Sequence, residues 1–307
     1  MRTSPYTDAA CSPHSAALVP PACVAEAGGL EGWIQVNLAL SAHTGSFRTS
    51  AWPLLEQLQA LLQTWRQTAP VACWFVRKAP GIRLRLYGPG FDATANSAFV
   101  ALLDHEVAKG NLVRWWCSTY EPETYRLGGP IALRAVHSLL SADTTVWLGW
   151  ECLFRQGGTR LSEDVMALAL YSDLLLRATE GYEEAWDVWC ALHRIYAGAL
   201  PEEPHEPSPR RHLLLPQELQ RLVKEAERAC LATGFAANEQ FAQALEHIWE
   251  RGELVGGRRA LLATLASFHW NIWCLRPQVI APLCRVMVQA LHPAAAFLPS
   301  VCLPRED

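Results

Sequence analysis

Two arginines, two residues apart, are the first place where this chain could do chemistry. In IRLRLY (82–87), Ile82, Leu84 and Leu86 alternate with Arg83 and Arg85. Successive strand residues point to opposite faces, so both guanidinium groups should leave one face and the apolar set the other. Two such forks side by side make a receptor for a carboxylate or a phosphate. Unpartnered on an open surface, they would only meet water or surface carboxylates. The stretch GWIQVNLAL (32–40) alternates in the same way and sets Gln35 and Asn37 against Ile34, Val36 and Leu38.

Two further segments carry candidate groups. TYEPETYRLGGP (119–130) gathers Glu121, Glu123 and Arg126 in a turn region that ends in Gly128-Gly129, and Glu123 and Arg126 are near enough in sequence to share one site. SFHWNIWCLRP (267–277) places His269 among apolar and aromatic neighbours, with Asn271 beside it. Histidine suits proton transfer near neutrality because its reference pKa is ~6.5. A histidine on an apolar helix is nevertheless more often a core residue satisfied by its neighbours. His137 and Asp143 are weaker candidates with an equally good structural reading. Of the 13 tryptophans, Trp115, Trp116, Trp270 and Trp273 are candidates to line a peptide groove.

The elements that must hold these groups follow from periodicity. Strands are expected at 33–40, 71–77, 82–88 and 111–118, with helices at 51–67 and 93–109 between them. That order is the βαββαβ pattern of a ferredoxin-like antiparallel unit, with both helices on one face. From Ile131 onward the period is helical, with helices expected near 131–141, 145–154, 161–178, 183–199, 215–232, 237–251, 258–275 and 277–291. The fold class is therefore α+β: a sheet unit over 32–150 and a helical region over 151–307 packed on it as one composite domain. PEEPHEPSPRR and its next residue (201–212) form a proline-rich loop, and residues 1–31 a loose segment.

Composition removes several function classes. Half of the 307 residues are hydrophobic and 18% are charged, enough apolar content for a sizeable core and too little charge for a disordered chain. A formal net charge of -4 gives no general pull toward nucleic acid or membrane surfaces. The ten cysteines include no C-x-x-C pair, so no metal site is expected, and they read as small buried hydrophobes in a reducing compartment. With no signal-peptide pattern and no long uncharged apolar run, the expectation is a cytoplasmic protein without a membrane span. Dinucleotide-binding, Walker, zinc-protease and serine-hydrolase motifs are absent.

Together the three segments resemble one family, the glutamate-elimination domain of lantibiotic dehydratases. WFVRKAPGIRLRLYG is similar to its early strand pair, YEPETYRLGGPIALRAVHSLLSADT to its Y-x-P-E-x-x-R-Y-G-G segment, and FHWN to its H-x-N-R motif. The likeness runs from about residue 33 to residue 290, and it points to a stand-alone protein of thiopeptide or lantibiotic biosynthesis. It implies Arg83, Arg85, Glu123, Arg126 and His269 as catalytic residues; Gln35, Asn37, Trp116, Trp270 and Asn271, read from the residues themselves, and Arg276 are expected to contact substrate. Arg276 enters because Ile272 stands where the motif has arginine; Leu127 likewise replaces an aromatic residue.

The implied reaction removes glutamate from a glutamylated serine or threonine of a precursor peptide, leaving dehydroalanine or dehydrobutyrine. The alternatives are a [4+2] cycloaddition that builds the thiopeptide pyridine ring, and a non-catalytic partner that binds the leader. No cofactor and no direct nucleic-acid contact are expected. The expected partners are the leader-bearing precursor and a separate glutamyl-tRNA-dependent glutamylating protein, and the sequence is also compatible with a homodimer.

Overall fold

A computed structural model describes residues 32–41, 47–88, 96–159, 161–199 and 225–293. Four strands form one antiparallel sheet: β1 (Trp33–Leu40), β2 (Ala72–Lys78), β3 (Gly81–Tyr87) and β4 (Leu112–Thr119), in the order β2-β3-β1-β4. Helix α1 (Phe47–Arg66) joins β1 to β2 across β3, and α2 (Ser97–Ala108) joins β3 to β4 across β1. The alternation does what the sequence indicates. Val36, Leu38, Ile82, Leu84 and Leu86 are buried in one core with Leu54, Leu55 and Leu58 of α1 and Phe99 and Leu103 of α2. The Asn96 side chain starts α2 by accepting a hydrogen bond from Phe99 N at 3.1 Å.

The rest is helical: α3 (Pro130–Arg155), α4 (Glu163–Ala178), α5 (Tyr182–Tyr196), α6 (Glu225–Glu250), α7 (Arg258–Ile272) and α8 (Pro277–Ala290). Helix α4 carries Glu163 and Asp164 in its first turn and Arg177 in its last, which suits the helix dipole at both ends. Helices α3 and α7 pack along β2 at the edge of the sheet. Trp147 of α3 meets Phe75 at 5.4 Å between ring centroids, and Phe268 of α7 meets Trp74 at 5.9 Å.

Two expected breaks are absent. Residues 131–141 and 145–154 lie in one helix, α3, whose intervening polar run is buried: Thr145 Oγ1 returns a hydrogen bond to Ser141 O at 2.8 Å, and Asp143 is bonded by His269 and Trp273 of the packed segment. Helix α6 runs unbroken through residues 233–236, which separate two expected helices. The proline-rich segment 201–212 and residues 1–31 lie outside the described residues. No helix among the described residues is long and apolar enough to cross a membrane.

The β2 edge is closed by a side chain. Asn271 accepts from Arg77 N at 2.6 Å and donates to Arg77 O at 3.0 Å, so its carboxamide imitates a neighbouring strand. Arg77 Nε also reaches Asn271 O at 2.7 Å. Asn271, expected to contact substrate, is instead a clamp between α7 and the sheet. Asn271→Ala strands a partly buried backbone N–H and C=O, so urea unfolding should show a loss of about 1–3 kcal/mol.

Candidate anion-binding cleft

Arg83 and Arg85 project from the face opposite α1 and α2, beside Gln35 and Asn37, as their cross-strand partners show: Gln35 faces Arg85 and Asn37 faces Arg83. A cleft of about 500 Å³ opens over this face, lined by Arg83, Arg85, Gln35, Trp74, Phe268 and the segment Thr119–Glu123 with Leu127. Strands supply the floor, the turn after β4 supplies one wall, and α7 supplies another through Phe268. Two glycines bring that wall back to the helices. Gly128 and Gly129 take φ of 87° and 94°, and a Cβ on Gly129 would lie 2.7 Å from a Val255 side-chain carbon. Pro130 then occupies the first turn of α3.

Arg85 is the unusual member. It is 8% exposed, and its Nε and Nη1 atoms are buried without a hydrogen-bond partner. Its guanidinium lies 4.2 Å from the Trp74 ring centroid and 5.0 Å from that of Tyr120. Burial pulls its pKa down to about 10, and the positive charge of Arg83 adds to that, while Tyr120 and Glu123 act in the opposite direction. Cation–π contacts hold such a group in place without consuming its N–H donors. Among the described residues no acceptor reaches these two nitrogens, an arrangement chemically suited to an anion.

Tyr120 is anchored from behind. Its Oη lies 2.8 Å from His137 Nε2, and the His137 ring packs against Trp33 at 4.4 Å and Trp74 at 5.9 Å. Burial, and then the charge of Arg85, depress the His137 pKa to about 3, so the ring is neutral at physiological pH. Burial raises the Tyr120 pKa well above the usual phenol value, so the hydroxyl keeps its proton. Neither Tyr120 nor Trp74 is among the candidate residues of the sequence. The signal is there for Tyr120, which is the first residue of the Y-x-P-E segment, whereas Trp74 opens the similar strand pair and is singled out only by facing Arg85 across the β2–β3 pair.

The other sequence candidates divide. Glu123 lines the cleft and pairs with Arg126 at 2.7 Å, a pair in which both side chains are more than half exposed. Asn37 is buried beneath the cleft floor and donates to Ser118 Oγ at 2.8 Å. Trp116 lies on the same sheet face on β4, stacked by Arg114 at 4.7 Å, and does not line the cleft.

His269 is elsewhere. It points from α7 into the helical layer, where Nδ1 meets Asp143 Oδ2 at 2.8 Å and Nε2 meets Ala167 O at 2.9 Å. Asp143 also accepts from Trp273 Nε1 at 2.7 Å, so the histidine is committed on both sides and ties α3, α4 and α7 together. Its chain neighbour Phe268 faces the cleft, and one residue along a helix is a turn of ~100°. Trp270 is a core residue, 1% exposed among Tyr171 and Trp189. Arg276 is exposed at the start of α8, away from the cleft lining.

The neutral His137 has a consequence for acid stability. Its folded pKa of about 3 lies below the ordinary 6.5. The unfolded state therefore binds more protons between these values, and stability is full above pH 6.5 and falls as pH drops toward 3. His137→Gln should flatten that part of the curve, measured as the urea midpoint against pH.

Comparison with known proteins agrees with this architecture. None of the curated proteins searched matches the chain. Among solved structures, the tRNA-dependent lantibiotic dehydratase MibB from Microbispora sp. 107891 superposes with a TM-score of 0.64 at 18% identity. That match covers 86% of this chain and 28% of MibB, so this chain spans under a third of MibB's length. A second structure, the pyridine synthase TbtD from thiomuracin biosynthesis, matches with a TM-score of 0.48 at 16% identity, over 85% of this chain and 98% of that one. The family described as "Lantibiotic biosynthesis dehydratase C-term" matches residues 33–287, which is most of the sequence, and the chain belongs to that family.

Proposed function

We propose that this protein eliminates glutamate from glutamyl esters of serine or threonine in a precursor peptide, in lantibiotic- or thiopeptide-type biosynthesis. The observation that carries the reading is the buried Arg85, whose Nε and Nη1 have no acceptor and which borders an open cleft. A glutamyl ester presents two features for such a site: a free carboxylate, and an ester oxygen that becomes a carboxylate as it leaves. Arg85 and Arg83 bind these oxygens and stabilise the charge that grows as the Cβ–O bond breaks. Gln35 lies on the floor beside them.

The α-proton needs an acceptor. The Cα–H electron pair forms the Cα=Cβ bond while glutamate departs with the Cβ–O pair. Glu123, on the wall of the cleft, is the carboxylate at hand to take that proton, with Arg126 holding it at the mouth. Tyr120 and His137 stay neutral and keep Arg85 the dominant charge. His269 acts from the helical layer as a structural tie. On this reading the sheet unit is ferredoxin-like, the substrate is the leader-bearing precursor, and a separate glutamyl-tRNA-dependent protein installs the glutamate.

The test is mass spectrometry of a glutamylated precursor peptide incubated with the protein. The expected product has lost one glutamic acid per site. Arg85→Met should slow that loss by ~10²-fold or more, the scale of removing one preorganised charge-stabilising donor. His269→Ala should lower thermal stability yet leave the rate per folded molecule within a few-fold. An unchanged glutamylated peptide, together with ring closure in a peptide already carrying dehydroalanines, would replace elimination with cycloaddition.

A further inference from the structure

Gln35 is a buried residue on the floor of the cleft, opposite Arg85 across the β1–β3 pair. A carboxamide carries two N–H donors and one carbonyl acceptor, and its orientation follows from what its neighbours can do. Here the chain of bonds starts from a backbone carbonyl, which can only accept. Trp116 O lies 3.3 Å from Asn37 Nδ2, so the Asn37 nitrogen is the donor there and Asn37 Oδ1 is left as an acceptor. Gln35 Nε2 donates to that oxygen at 3.2 Å and to Ser118 Oγ at 3.0 Å. Asn37 Nδ2 also reaches Ser118 Oγ, at 2.8 Å.

Both N–H groups of Gln35 are therefore committed within the sheet face, whereas its carbonyl oxygen is not. Among the described residues no hydrogen bond ends on Gln35 Oε1. Nor is this oxygen one of the buried atoms left without a partner, so it opens on the cleft that Gln35 lines. The floor then shows a ligand two kinds of group. Arg83 and Arg85 offer positive charge and donors, and Gln35 offers an acceptor held in place by its own two bonds. Residues opposite each other on an antiparallel pair have Cβ atoms ~4.5–5.5 Å apart, within the span of one glutamyl group.

We propose that Gln35 is a specificity-determining residue of the cleft: its Oε1 accepts a hydrogen bond from the free amino group of the glutamyl ester while Arg85 holds a carboxylate of the same group. This rests on the reading that the ligand is a glutamyl ester, which keeps the amino group of the glutamate. A ligand with carboxylates alone satisfies the arginines but sets oxygen against the Gln35 oxygen. An ammonium has donors only and satisfies it. The cleft thus selects a zwitterionic aminoacyl group over a plain anion. A glutamine suits the task because it is neutral: a carboxylate opposite Arg85 would pair with the guanidinium and close the anion site. Asn37 and Ser118 are positioning residues that keep the carboxamide from turning over.

Calorimetric titration of the full chain with L-glutamate, 2-hydroxyglutarate, glutarate and 2-oxoglutarate tests this. All four carry the same two carboxylates. They differ at one carbon, which bears an ammonium, a hydroxyl, hydrogen alone or a carbonyl acceptor. L-Glutamate should bind at least about tenfold tighter than glutarate, 2-hydroxyglutarate about threefold tighter, and 2-oxoglutarate no tighter. The hydroxyl matters because Glu121 and Glu123, which also line the cleft, attract an ammonium but gain nothing from a neutral O–H beside Gln35. Gln35→Met should remove the advantage of 2-hydroxyglutarate and cut that of L-glutamate about tenfold. If that variant does not fold, the native series decides alone. Native protein that binds none of the four, or binds 2-hydroxyglutarate no tighter than glutarate, overturns the proposal. So does an order of affinities that survives Gln35→Met. Release from a peptide with one glutamyl-esterified serine is followed beside its glutaryl-esterified counterpart. The expected order without release from either peptide keeps the Gln35 contact and removes the elimination reading, whereas equal release from both does the reverse.

Discussion

A guanidinium buried against aromatic rings, with no carboxylate paired to it among the described residues, is the constraint around which this structure is organised. Removing an ion from water costs several kcal/mol even after relaxation, and protein interiors usually offset that with a hydrogen-bonded counter-ion. Arg85 receives aromatic faces instead. Trp74 and Tyr120 lie 4.2 Å and 5.0 Å from it, and exposed cation–π contacts contribute only ~0.5–1 kcal/mol each, more when desolvated. Those contacts alone are smaller than the cost of burying the charge, which is why the proposed reading gives Arg85 a carboxylate to hold.

That covering depends on the helical layer. A four-stranded sheet with helices on one side leaves its second face open, and arginines there would be solvated surface groups. Helices α3 and α7 pack along the β2 side and bring His137 and Phe268 over Trp74. Arg85 is thus buried and Arg83, two residues away on the same strand, only half-buried. One face holds a graded series: a dry wall at β2, a charged cleft over β3 and a polar surface at β4. His137 fits this gradient: burial, and then the charge of Arg85, keep it uncharged at the dry end.

Much of this is legible in the sequence, for reasons particular to each element. Period-2 alternation in 33–40 and 82–87 places Gln35, Asn37, Arg83 and Arg85 on one face, because the side-chain direction of a strand is a local property. Glu123 follows from its place in the turn that β4 runs into. Trp74 and Tyr120 do not follow, since their contact with Arg85 depends on the β2–β3 register and on the path of a loop, neither of which is local. His269 shows the limit from the opposite direction. Its residue type and neighbours suit proton transfer, but helix phase decides which of Phe268, His269 and Trp270 faces the cleft, and that phase is set by packing against β2 and α4. Asn271 and Trp270 are displaced from substrate-contacting roles by the same rotation. The polar run in α3 misleads because a Thr145 hydroxyl that bonds back to its own helix, and an Asp143 bonded by His269 and Trp273, look like a break when read as a string.

The placement of the charged groups also bears on specificity. Side chains on paired strands are held by the ladder on both sides, so their donors keep a fixed spacing when the ligand arrives. The Glu123–Arg126 pair on the turn is more than half exposed and solvated. On the proposed reading, a carboxylate meets these solvated charges first and the desolvated Arg85 last. Electrostatic contacts strengthen in low dielectric, so the desolvated Arg85 is the stronger of the two arginines toward an anion. Trp74 is fixed beside it by the β2–β3 pairing, whereas Tyr120 stands on the turn after β4 and is held by its contact with His137, so the aromatic surroundings of Arg85 depend on the sheet and on that anchored turn together.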